Sequence, residues 1–199
     1  MKFNGLHYDD IPDRLMQGEK TILELGASNG LSQHICRHRE FFIANNNAGR
    51  YHGIDIRDFQ HCYLNIVRGD IRTYEPEQKY DLVLALHVLE HIDLSYWESV
   101  ISRLLSAVAP RGFLVIGVPN REPEVNHPYT DHRVFNITSD MMRRYLPDAI
   151  ISTLPNPFPF ANDGVSFGWA LLRYLKRRLV RDPAIRRYNR MLAIWRNQP

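Results

Sequence analysis

Five residues in two short runs could move a proton. His87, Glu90 and His91 fall in HVLEHI, directly after a strongly apolar stretch, and Asp131 and His132 open DHRVF further along. An imidazole titrates near neutrality, so it can take the proton of an alcohol or phenol within hydrogen-bond reach. His91 and His132 are the candidate bases. The plainer use of His91 is to cap or pack the HVLEHI turn.

A second set of residues could hold a nucleotide. In TILELGASNG, Thr21 to Leu23 read as a buried strand, Glu24 follows, and Gly26-Ala27-Ser28-Asn29-Gly30 makes a tight turn. Leu31 to Ile43 reads as the helix beyond. Gly26 permits a left-handed turn, Gly30 permits close approach, and the helix start presents unpaired N–H groups. The glycines are four apart with Ser28 between them, so the dinucleotide spacing G-x-G-x-x-G is not met. Asp55 closes the next strand, YHGIDI, and Asp70 closes the one after, HCYLNIVRGD. A carboxylate at the first position can accept both ribose hydroxyls of a nucleoside. The second, or its neighbouring amide, can meet an adenine amino group. Each alone is commonly a turn or cap residue; together, at consecutive strand ends behind a glycine turn, they describe a ligand edge.

The elements that must position these residues alternate. After the first helix come two short strands, then a strand from about Tyr80 to Leu86. Residues 95–109 carry a helical stripe of Tyr96, Val100, Ile101, Leu104, Leu105 and Val108, which Pro110 and Gly112 should end. GFLVIGVPN is the fifth strand, and Ser139 to Leu146 a short helix capped by Thr138 or Ser139. DAIISTL and MLAIWRN give the last two strands, with 155–189 inserted between them. Strand–helix alternation predicts an α/β fold with a mostly parallel sheet. The 199 residues suit one domain. No apolar signal or membrane-spanning run is present, and Cys36 and Cys62 have no metal or disulfide spacing, so the expectation is a cytoplasmic protein with reduced thiols. The net charge of +3 hides a split, with +7 over residues 173–190 and −4 over the rest.

Taken together, the motifs over about residues 20 to 146 resemble those of the class I S-adenosylmethionine (SAM) methyltransferases. ELGASNG is similar to the acidic residue and G-x-G-x-G of their motif I, with Ser28 for the middle glycine. YDLVLALHVLEHI resembles motif IV, and LLSAVAPRGFLVIGVPN resembles motifs V and VI. The resemblance implies a Rossmann-like fold, a seven-stranded sheet flanked by helices, and SAM as cofactor. It implies that Glu24, Gly26, Ala27, Ser28, Asn29 and Gly30 shape the methionine pocket. Asp55 with Ile56 would hold the ribose, Asp70 with Ile71 the adenine, and Leu86 and His87 would border the methionine.

HVLEHI and DHRVF also resemble segments of the ubiquinone-pathway O-methyltransferases and the small-RNA 3′-end methyltransferases, in which a divalent ion orients acceptor hydroxyls. There the first position is Glu; here it is His87. No metal is assigned on this ground. The residues that would hold one are His87, Glu90, His91 and His132, a set better suited to zinc, manganese or iron than to a hard oxygen-seeking ion. The same H-x-x-E-H spacing occurs in inverted zinc proteases, but on a helix and with a further glutamate. HVLE also lacks the D/N-P-P-Y/F of DNA amino-methyltransferases.

The acceptor side is less legible. PNPFPFANDG opens the 155–189 insertion and could be a lid or a hydrophobic plug. Phe167, Leu171, Leu172, Leu175 and Leu179 then fall at helical spacing, flanked by Arg173, Lys176, Arg177 and Arg181. Such a helix can pack on the core with a solvated face, or lie on an anionic membrane through 167–190, or track the phosphates of a nucleic acid. The resemblance implies methylation of oxygen, or less commonly nitrogen, on a small-molecule, sugar or lipid-linked substrate. The alternatives are a metal-assisted RNA terminal-hydroxyl methyltransferase, or a non-catalytic scaffold binding a membrane or anionic partner.

Overall fold

The structure, a computed structural model, describes residues 11–28, 38–59, 63–120, 131–154 and 189–198. Seven strands form one sheet: β1 Ile22–Leu25, β2 Tyr51–Asp55, β3 Ile66–Arg68, β4 Tyr80–Leu86, β5 Val108–Asn120, β6 Ile150–Leu154 and β7 Asn189–Arg196. Their order across the sheet is β3-β2-β1-β4-β5-β7-β6. The first five pair in parallel, and β7 runs antiparallel to both β5 and β6. Three helices are described: α1 Arg39–Asn47, α2 Trp97–Ala107 and α3 Ser139–Tyr145. This is the Rossmann-like α/β architecture expected, with seven mostly parallel strands.

Side chains alternate across the central strands, so each face has its own core. Leu23, Leu25, Val83, Ala85, Leu114 and Ile116 pack on one face with Trp97, Val100, Ile101 and Leu104 of α2. Ile22, Leu82, Leu84 and Val115 pack on the other with Phe42 of α1 and with Ile11, Leu15 and Met16. Both faces of β1, β4 and β5 are therefore covered, and only their ends are open to a ligand.

Several element limits differ from the sequence expectation. The first helix was expected over Leu31–Ile43; α1 runs from Arg39, with His38 as its N-cap, past Ile43 to Asn47, and residues 31–37 lie outside the described residues. Asparagines are weak helix formers, but Asn45 is buried and its side chain bonds the carbonyls of Gly18 and Phe41 and the amide of Lys20. Those tertiary bonds outweigh propensity. Helix α2 stops at Ala107 rather than at Pro110, because the proline ring excludes Ala109 from helical backbone. Val108 already pairs with Tyr80, and pairing resumes at Leu82 and Phe113, so residues 109–112 bulge out of β5. The buried anchor of α2 is Trp97, whereas Tyr96 is exposed. Strand β3 stops at Arg68, two residues short of Asp70. Thr138 is the cap of α3, its Oγ1 accepting the Met141 N–H at 3.2 Å.

Among the described residues no helix is long and apolar enough to cross a membrane. Cys36, Cys62, Asn29, Gly30 and residues 155–188, which include the expected lid and most of the basic helix, lie outside the described residues. Asn189, the last residue of the expected insertion, is already in β7.

Candidate active site

The chain runs outward from β1 through β2 to β3, then returns to place β4 on the other side of β1. In open α/β sheets the crevice outside the carboxyl ends at such a reversal is where ligands bind. Here two turns meet in that crevice, one after β1 and one after β4.

The turn after β1 is shaped by a close contact. Gly26 has φ +69°, and a Cβ there would lie 2.2 Å from Val88 Cγ2. The glycine is thus required by backbone conformation and by packing against the turn after β4. The Gly26 and Ala27 amides donate to the Ile54 carbonyl at 2.8 and 3.2 Å, tying the turn to β2. Ser28 adopts φ +55°, a left-handed backbone that glycine would take without strain. Its amide donates to Asp55 Oδ2 at 2.9 Å, and Asp55 Oδ1 accepts the Arg57 amide at 3.0 Å. Glu24 is buried and accepts the Tyr51 hydroxyl at 2.6 Å. Beside Asp55, Ile56 is 59% exposed.

Asp70 stands beyond β3, and its carboxylate is gripped by Arg72 through Nε and Nη2 at 2.5–3.0 Å. That guanidinium holds the Asp70 carboxyl below its ordinary range, against a partial opposing effect of burial. Its carboxylate is therefore engaged, and the Ile71 carbonyl accepts from Arg103 at 3.5 Å.

The turn after β4 brings the histidines together. Leu86 ends the strand, and His87 follows at φ +55° with its amide on the Gly117 carbonyl at 2.9 Å. Leu89–His91 form one 3₁₀ turn, whose carbonyl at Leu89 and that of Ile92 both accept the Trp97 indole N–H, at 3.0 and 3.2 Å. The Glu90 carbonyl accepts the Arg133 and Val134 amides at 2.7 and 3.1 Å. This clamp carries DHRVF to the end of β4. The rings of His91 and His132 meet edge to face, centroids 4.6 Å apart. His91 Nδ1 lies 3.3 Å from Asp131 Oδ2. His87 Nδ1 sits 2.6 Å from Oε1 of Glu90, a carboxylate with no exposed surface. Oε2 of Glu90 has no hydrogen-bond partner among the described residues.

The sequence did not announce three of these features. The Val88 contact that requires Gly26 joins distant segments. Trp97 is hidden as one more apolar residue of a helix. The His87–Glu90 pair sat at i, i+3, a spacing that could have signalled it. Of the four residues that could surround an ion, the structure gathers Glu90, His91 and His132, whose donor atoms all lie within 4.8 Å of one another. His87 stands behind them as the partner of Glu90.

The family model described as a methyltransferase domain matches residues 6–154. The chain belongs to the methyltransferase domain family. No curated protein matches it. Solved structures share the fold of this methyltransferase at low identity. One is a SAM-dependent methyltransferase from Archaeoglobus fulgidus, 17% identical, TM-score 0.61, covering 92% of this chain and 89% of its own. Another is the 1,6-didemethyltoxoflavin-N1-methyltransferase of Burkholderia thailandensis with S-adenosylhomocysteine bound, 14% identical, TM-score 0.58, covering 91% and 72%. A third is the N-methyltransferase NodS from Bradyrhizobium japonicum WM9, 16% identical, TM-score 0.54, covering 92% and 88%.

Proposed function

We propose that this methyltransferase uses SAM to methylate an oxygen of a small-molecule, sugar or lipid-linked acceptor, with His91 and His132 on the receiving rim. The observation that carries the reading is the edge-to-face approach of these two imidazoles just after β4, whose turn packs through Val88 against Gly26 of the β1 turn. Asp55 fits a nucleoside: Oδ2 accepts the Ser28 amide and keeps a second lone pair for a ribose hydroxyl, while Oδ1 holds the Arg57 amide and, at 3.4 Å, the Arg57 Nε. Ile56 offers an uncovered apolar side chain next to it. Glu24, Gly26, Ala27 and Ser28 would border the methionine end, with Leu86 and His87 opposite. Asp70, occupied by Arg72, would meet an adenine only through its backbone neighbourhood at Ile71.

Bound SAM supplies a methyl group on a cationic sulfur, already activated for displacement. The protein's own part is alignment and exclusion of water. His91, held by Asp131, and His132 receive the hydroxyl of the acceptor and take its proton as the oxygen gains the methyl group. A nitrogen acceptor is the second reading. It is favoured by the names of the Burkholderia and Bradyrhizobium proteins, both N-methyltransferases, and a neutral amine needs no base to attack.

An S-adenosylhomocysteine-release assay over matched hydroxyl and amine acceptors tests the proposal. The expected result is turnover of hydroxyl compounds, lowered about 10²- to 10⁴-fold in His132→Ala with cofactor affinity unchanged. Turnover of amines alone, undiminished in both His91→Ala and His132→Ala, would overturn oxygen transfer.

A further inference from the structure

We infer that Glu90, His91 and His132 form a three-ligand site for a divalent transition-metal ion, with His87 and Asp131 as its outer supports. The donor atoms of the three lie within 4.8 Å of one another, and the turn and clamp that hold them are fixed by hydrogen bonds independent of any ion. Tetrahedral ligands at about 2.1 Å from zinc stand about 3.4 Å apart, so the group closes on an ion by side-chain rotation alone.

The outer hydrogen bonds are those a metal site uses. An imidazole ligand commonly gives its other ring N–H to a carboxylate or carbonyl, which fixes the tautomer. His91 Nδ1 faces both the carboxylate and the carbonyl of Asp131, each at 3.3 Å, so the lone pair falls on Nε2. A ligating carboxylate is likewise held by one oxygen. His87 donates from Nδ1 to Glu90 Oε1, and Oε2 is left, fully buried, with no partner among the described residues. An unmatched buried carboxylate oxygen is costly, and a cation removes that cost. The carboxylates of Glu90 and Asp131 balance the charge of a divalent ion. Two imidazoles and one carboxylate select zinc or a neighbouring transition metal over magnesium, and leave a coordination position open. That position lies on the acceptor rim, so a bound ion would orient the acceptor oxygen and ease loss of its proton, taking over the base role proposed for His91 and His132; this duty rests on the methyl-transfer reading, whereas binding of the ion does not.

The test is calorimetric titration of the chelator-stripped protein with Zn²⁺, without SAM, alongside Co²⁺ titration followed by visible absorption. The expected result is one ion per chain at micromolar or tighter Kd, no response to Mg²⁺, and Co²⁺ bands typical of four- or five-coordination. His91→Ala, at an exposed position, should weaken Zn²⁺ binding at least 100-fold with an unchanged melting curve for the metal-free protein. His87→Phe, which removes only the outer support, should weaken it about 10- to 100-fold. Absence of Zn²⁺ binding to a folded protein that still binds S-adenosylhomocysteine would overturn the metal site and leave the methyl-transfer reading intact. Equal Zn²⁺ affinity in His91→Ala and wild type would also overturn it.

Discussion

Replacing Gly26 with alanine perturbs a close contact that joins the two turns of the site. Two costs add. The backbone is at φ +69°, where an L-residue is strained by about 1–2 kcal/mol. The new Cβ would also lie 2.2 Å from Val88 Cγ2, inside any permitted contact. Val88 cannot easily retreat, since the turn behind it is fixed through the Trp97 indole to Leu89 and Ile92. Overpacking of this kind costs about 1–3 kcal/mol. The sum, about 2–5 kcal/mol, is a large part of the stability of an ordinary domain. Urea unfolding measures it, with an unchanged m-value showing that the folded and unfolded states keep their surfaces. Val88→Ala separates the two parts. It deletes Cγ2 and leaves Val88 Cβ at 3.4 Å from the added methyl, an ordinary contact. In that background Gly26→Ala should cost only the backbone part, a coupling of about 1–3 kcal/mol between the sites. Equal cost in both backgrounds would refute the close-packing argument, and a cost below about 1 kcal/mol would refute the backbone argument as well.

Two further outcomes follow from local geometry. Ser28→Gly relieves the left-handed strain at φ +55° but adds chain entropy to the unfolded state, so a net gain of about 0.5–1 kcal/mol is expected by urea unfolding, and a loss would contradict the strain. The Asp70–Arg72 pair sets a pH dependence: the folded carboxyl lies below its unfolded range, so its stabilisation is present above that range and disappears as pH falls through the folded value. The melting difference between wild type and Asp70→Asn should therefore be largest near neutrality and vanish in strong acid; a difference that grows on acidification would contradict this sign.

The sheet was legible because β1, β4 and β5 are covered on both faces and so read as unbroken apolar runs. The glycine turn and its tie to β2 were legible because Gly26, Ser28 and Asp55 lie at strand ends, where turn chemistry is local. What escaped depends on pairing across the chain. Asn45 extends α1 through bonds to Gly18, Phe41 and Lys20 that no periodicity reveals. The bulge at 109–112 exists because Val108 finds Tyr80 before the proline is passed. At the rim, residue types named the four candidate ligands, but only the clamp from Arg133 and Val134 to Glu90 decides that His132 joins His91 and that His87 stands behind.

The SAM site is tested most directly by calorimetric titration of the wild type and of Asp55→Ala with S-adenosylhomocysteine. Micromolar binding at one site is expected in the wild type. At least a tenfold loss is expected in Asp55→Ala, because each hydrogen bond from a ribose hydroxyl to this carboxylate is worth about 1.5–3 kcal/mol. No binding to the folded wild type would contradict the assignment of a SAM site. Equal binding by the variant would contradict the role of Asp55 within it.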